Sequence, residues 1–364
     1  MKKIITIITF IFSLILLTSC FGEQERSKFD DMMQIPVNED YVLVSRTGIT
    51  KNQEVHYFNE MCISELKKMG MQEKEINTYS ISHTTILFDN YIFVQFRYSY
   101  EEDNNSDMMY NYIFCFYNLE TLDQKIIRVE HTKNLMKITR IGKYAVIEYI
   151  DHLLLIDSKT YKEETVDFRE YQIIQSSGDI LLIQNLNTGM YMYYNASLDL
   201  IEVDIPITSR IQNVTNDYIE YYITDDGTYI YQIGTNQIYT KNHYLEKYPI
   251  EEKHYKLNII NDNEFTVTIY EEVINFNIDD IRSYSSVFRQ IESIFDTTIT
   301  LQHLYMFNDE YYLVFGNTDS FFGAYQQGCT LPAVFKINDQ HKLEYIGFLP
   351  NVHDGSSIHT IYKK

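Results

Sequence analysis

Short runs of apolar, β-branched and aromatic residues alternate along the chain with polar turns, and one pairing of turn and run keeps returning. A turn holding Asn, Asp or Gly is followed at once by a hydrophobic run in NED-YVLVS, FDN-YIFVQF, GK-YAVIEY, SGD-ILLIQ, TND-YIEYYI, NDNE-FTVTI and FNDE-YYLVF. Runs of this length bounded by turn formers predict strands rather than helices. They begin at Tyr41, Tyr91, Tyr144, Ile180, Tyr218, Glu264 and Tyr311, so the unit recurs every 36 to 53 residues. Each later period also predicts a strand ahead of the turn, as in His83–Phe88, Leu135–Ile141 and Leu301–Phe307. Several carry a further hairpin behind it, as in Tyr112–Tyr117 with Lys125–Val129.

Four strands in roughly 40–50 residues make one blade of a β-propeller, a sheet too thin to bury its faces alone. The expectation is therefore an all-β, seven-bladed β-propeller over residues 41–364, with six or eight blades as near alternatives and a β-sandwich as the other all-β solution. The first period lacks an obvious strand ahead of Tyr41 unless Met32–Val37 supplies it, and the stretch Ser357–Tyr362 is expected to pair there. That pairing closes the ring between the N- and C-terminal strands and removes an exposed edge. Two stretches break the rhythm. Val287, Phe288, Ile291, Ile294 and Phe295 stand at helical spacing and predict a helix over Ser285–Phe295, while Met61–Met71 reads as a hairpin in preference to a helix. Asp225-Asp226-Gly227 and Asp279-Asp280 read as turns.

Composition agrees. With 33 Tyr, 21 Phe and 45% hydrophobic residues the chain can fill a large core, which excludes disorder for most of it. Only 13 of the 364 residues are Gly, so Asn and Asp must serve in turns needing φ > 0. Asp and Glu number 51 against 30 Lys and Arg, a net charge of −21. Nucleic acid and anionic lipid headgroups both demand clustered cations, so neither is an expected partner.

The first residues, MKKIITIITFIFSLILLTSC, place Lys2 and Lys3 before an apolar run from Ile4 to Leu17 that is shorter than the roughly 20 residues of a spanning helix. Leu17-Thr18-Ser19-Cys20 directly behind it resembles the lipobox of bacterial lipoproteins. The resemblance implies a signal peptide over 1–19, removal of that peptide, and palmitate-type acylation of Cys20. Residues 20–40 then form a polar tether, and the product is extracytoplasmic and held to the membrane by its lipids. Phe21 behind the cysteine points to the outer membrane of a diderm cell, or to the plasma membrane where only one exists. The domain itself resembles bacterial secreted propellers, including the Tol-system propeller and envelope lipoprotein propellers, at superfamily level only. No WD dipeptide or kelch-like double glycine narrows the likeness.

Chemistry is sparsely marked. No nucleophile elbow, P-loop, zinc motif or dinucleotide fingerprint occurs, and nothing calls for a cofactor or metal. Cys62, Cys115 and Cys329 give no disulfide framework. His83, His303 and His359 fall on strands ahead of the recurring turn and read as isolated polar positions. Asp103, Asn105 and Asp107 begin like a calcium loop, but Met108 and Phe114 stand where its Gly and Glu belong. Two loops are candidate contact surfaces: Gly316–Pro332 with Phe321, Phe322 and Tyr325, and the hairpin Tyr98–Tyr110 with Met108 and Tyr110 beside an acidic tip. The favoured function is a membrane-anchored module that binds a protein or carbohydrate partner as a scaffold. The alternatives are an envelope enzyme, a glycan-acting hydrolase or lyase assembled from several blades, and an outer-membrane assembly component.

Overall fold

The computed structural model describes residues 31–100, 110–248, 254–295, 299–317, 332–349 and 358–364. These residues form seven antiparallel sheets, six of four strands and one of three. Numbered in chain order, β1 (Tyr41–Ser45), β2 (Gly48–Lys51) and β3 (Glu54–Tyr57) come first. The next sheet holds β4 (Tyr79–Leu87), β5 (Tyr91–Tyr100), β6 (Tyr110–Asn118) and β7 (Gln124–Thr132). It is followed by β8 (Leu135–Ile141), β9 (Tyr144–Tyr149), β10 (His152–Asp157) and β11 (Glu163–Asp167). Then come β12 (Tyr171–Ser177), β13 (Ile180–Asn185), β14 (Tyr191–Tyr194) and β15 (Leu200–Glu202). β16 (Arg210–Val214), β17 (Tyr218–Ile223), β18 (Gly227–Gln232) and β19 (Gln237–Thr240) form the next. The last are β20 (Tyr255–Asn261), β21 (Glu264–Ile269) and β22 (Glu272–Asn277), then β23 (Ile299–Phe307), β24 (Glu310–Asn317), β25 (Ala333–Ile337) and β26 (Leu343–Phe348), and finally β27 (Ile358–Lys363).

Two compact units result, one of residues 62–252 and one of residues up to 61 with 253–364. In the second, β27 pairs antiparallel with β1, so the strand expected near the C-terminal end completes the first sheet in the order β27-β1-β2-β3. Six of the seven predicted run starts coincide with a strand start, and the seventh, Tyr311, follows the first residue of β24.

Burial explains the hydrophobic pattern. Several second and third strands, such as β9, β10 and β13, are covered on both faces and therefore read as continuous apolar runs. Others, such as the first strand β4 and the fourth strand β11, alternate or stay exposed. In the unit of residues 62–252, neighbouring sheets meet along their first strands, β4 with β8, β8 with β12 and β12 with β16. β8, β12, β16, β20 and β23 each carry a β-bulge, which bends the strand and increases its twist.

The first turns of the 62–252 sheets are stitched together. Arg140 donates from Nη1 to the Leu87 carbonyl at 2.7 Å, Gly142 N–H to the Gly178 carbonyl at 2.9 Å, and Asp179 N–H to Asn216 Oδ1 at 2.9 Å. The turn after the third strand has its own rule. Asn118, Asp157, Asn195 and Asn338 each accept backbone N–H groups of the following residues, and a left-handed residue (Leu122, Tyr161, Leu198 or His341) closes the turn. The Asx side chain supplies the hydrogen bonds while its neighbour carries the positive φ, so little glycine is needed.

Three places differ from expectation. Phe58–Lys68 is a helix, not a hairpin: Phe58, Cys62 and Leu66 fall four residues apart and are fully buried. Asp279 and Asp280 are no turn but the first turn of a helix, Ile278–Tyr284, where their backbone N–H groups donate to the Asn277 cap. That helix and the expected one, found at Ser286–Phe295, follow the three strands β20–β22. Phe288 packs against Phe315 and Phe335, at ring separations of 5.3 and 5.7 Å, in one core with Phe265 and Phe276. Met32 and Ile35 are fully buried in this core too, so residues 31–35 of the stretch read as a tether pack onto the domain.

Candidate functional site

In the unit of residues 62–252, β7 ends at Thr132 and β8 begins at Leu135, while β9 ends at Tyr149 and β10 begins at His152. Both connections lie at one end of these sheets and are pinned together, Ile150 N–H donating to the Asn134 carbonyl at 3.1 Å. Between them opens a cleft of 380 Å³ lined by groups from β7, β9 and both connections.

Its one arginine is held by two carboxylates. Arg128 pairs with Glu130 at 2.8 Å and with Glu163 at 3.3 Å. The buried Tyr149 hydroxyl donates to the other Glu130 oxygen. Burial, reinforced by that carboxylate, pushes the Tyr149 pKa far up, so the phenol keeps its proton and acts as a fixed donor. Its ring lies parallel to the His152 imidazole at 4.4 Å. His152 Nδ1 is 2.7 Å from Asp151 Oδ1, and this hydrogen bond holds the Asp151 carboxyl below its usual range. His131, on the opposite face of β7 from Glu130, is 2.8 Å from Asn111 Oδ1. Asn134 and Thr132 add amide and hydroxyl groups. Met136, in the β8 bulge, and Ile150, between Tyr149 and Asp151 in the chain, stand 64% and 61% exposed and do not line the cleft. The arrangement presents planar hydrogen-bonding groups around an arginine that is already paired.

Of the residues expected to make contacts, Tyr110 opens β6 opposite Thr132, at the register of this cleft, with the Arg97 guanidinium 4.9 Å above its ring. Met108, Phe321, Phe322, Tyr325 and the acylation residue Cys20 lie outside the described residues. Both expected contact loops join the second strand of a sheet to the third. His83 lies on β4 and His303 on β23, in different units, and the side chain of His359 lies outside the description. Among the described residues, no group of three or more His, Cys, Asp and Glu side chains is placed to hold a metal ion, and no helix is long and apolar enough to cross a membrane. The reading of the sequence passed over Glu130, Tyr149, Asp151 and His152. Their one local signal was an Asp-His pair placed just behind a strand.

No protein-family model and no curated protein matches the chain. Among solved structures, Kluyveromyces lactis Hsv2 aligns at 10% identity over 74% of this chain and 100% of its own, with a TM-score of 0.28. Pyrococcus horikoshii acylaminoacyl peptidase aligns at 12% identity over 74% of this chain and 46% of its own, with a TM-score of 0.33. The N-terminal domain of Nup159 aligns at 10% identity over 69% of this chain and 78% of its own, with a TM-score of 0.27. Likenesses at this level assign no function.

Proposed function

We propose that this chain is an envelope lipoprotein, anchored through acylated Cys20, whose seven sheets are the blades of a propeller that binds an uncharged polar ligand at the Tyr149–His152 cleft. The carrying observation is that the one arginine of the cleft is already held by Glu130 and Glu163, while His131 and His152 each have one ring nitrogen engaged, by Asn111 and Asp151. A cleft whose one fixed cation is already paired offers no free positive charge to an anionic ligand. It offers Asn134, Thr132 and the unbonded edges of His131 and His152 to hydroxyl or amide groups instead. A neutral glycan is the class that fits these groups, its hydroxyls meeting Asn134, Thr132 and the histidine edges.

The test titrates the detergent-solubilised full chain with neutral oligosaccharides, following tyrosine fluorescence. Saturable binding that weakens in Asn134→Ala and His152→Ala supports the proposal, and the absence of saturation refutes it. The enzyme alternative draws on the Asp151–His152 pair, an orientation that suits a general base, and cleavage of the oligosaccharide in the same titration would establish it. Anchoring is tested separately. Cys20→Ser should abolish incorporation of labelled palmitate and release the chain from membranes, and unchanged retention would refute acylation there.

A further inference from the structure

At the other end of the same strands, the first turns of three sheets and the turns after β10 and β14 line a second cleft, of 330 Å³, in the unit of residues 62–252. Phe88 and Tyr91 give it an aromatic wall, and Arg140, Lys143 and Lys159 bring three cations into a chain of net charge −21. The cations are not equivalent. Lys143 is matched by the buried Asp157 at 2.6 Å. Arg140, half-buried above the Phe88 ring at 4.9 Å, sends Nε to the Gly142 carbonyl and Nη1 to the Leu87 carbonyl, both at 2.7 Å. Neither acceptor is an anion, and among the described residues no carboxylate pairs with this guanidinium. Lys159 likewise has no ion pair there, and only its backbone N–H is engaged, by Asp157.

A half-buried guanidinium held by two carbonyls is positioned but not neutralised, and its free edge is a fork that suits a carboxylate. We propose that this cleft binds a small organic monocarboxylate, its charge on Arg140 and Lys159 and its apolar body against Tyr91. Two exposed carboxylates, Asp89 and Asp179, also line the cleft and limit the charge it admits, which favours a monoanion over a phosphate dianion. The carbonyl bonds fix the fork in place before any ligand arrives, so little orientation is lost on binding. The inference is independent of the glycan cleft, since it uses different residues at the opposite sheet ends.

The experiment titrates the full chain with benzoate and, separately, with inorganic phosphate by calorimetry at low salt. Saturable benzoate binding, stronger than that of phosphate, is expected. It should weaken roughly tenfold or more in Arg140→Gln and in Lys159→Ala and decline with added salt. Should Arg140→Gln fail to fold, Lys159→Ala still decides, because its exposed side chain makes no contact on which the sheets depend. Absent benzoate binding, binding unchanged in Lys159→Ala, or phosphate preferred over benzoate would each overturn the proposal.

Discussion

Lys363 on β27 reaches Glu310 on β24 at 3.2 Å, so the strand that completes the first sheet is tied by charge to the sheet of β23–β26. Lys336 meets the same carboxylate at 2.6 Å, and Tyr312 donates to its other oxygen at 2.6 Å. Burial opposes the Glu310 charge, but the hydrogen bonds from Lys336, Tyr312 and Lys363 outweigh it and hold the pKa at about 2. A depressed acid stabilises the fold fully above its unfolded pKa and loses that contribution as pH falls through the folded value. Between about pH 4.5 and pH 2, denaturation free energy should fall by roughly 2 kcal/mol more in the natural chain than in Glu310→Gln. Urea titrations across that window check it, and equal pH slopes would contradict the assignment.

Gly178 has φ +50°, and a Cβ there would stand 2.6 Å from Asn216 Oδ1, the atom that accepts from Asp179 N–H. Gly178→Ala therefore combines left-handed strain with loss of a stitch between sheets. A destabilisation of about 1–3 kcal/mol is expected, measured by thermal melting.

Cys62 and Cys115 are buried, and burial pushes both thiols up to about 12. In a chain carrying Cys20→Ser and Cys329→Ser, neither should react with a thiol reagent near pH 8 until denaturant is added. Stoichiometric labelling of the native protein would contradict this burial.

Phe288 anchors the helix Ser286–Phe295 in the core it shares with Phe315 and Phe335. Phe288→Ala should cost about 3–5 kcal/mol in denaturant unfolding, whereas Arg289→Ala on the exposed side should cost little.

The strand rhythm was legible because second strands such as β5, β9 and β13 are largely buried along their length, so Tyr91, Tyr144 and Ile180 announce themselves as starts of apolar runs. The helix Phe58–Lys68 was not, because a short segment with Met61, Ile63 and Leu66 suits either period. The Asx turns at Asn118, Asp157, Asn195 and Asn338 form a true repeat, but their left-handed partners are Leu, Tyr, Leu and His, residues that carry no turn signal of their own. The bulges were hidden for a similar reason: Met136 and Gln302 look like ordinary strand residues until the register is known. The cleft escaped notice because Glu130 and Tyr149 sit on different sheets and meet only through the packing of β7 beside β9.

The pairing of β27 with β1 also sets an order of assembly. β1 is synthesised long before β27, the strand that covers its open edge, so until β27 arrives that edge presents bare amides to whatever is nearby. Only the pairing of β27 retires that hazard, which makes truncation ahead of Ile358 a route to aggregation rather than to a slightly shorter working protein.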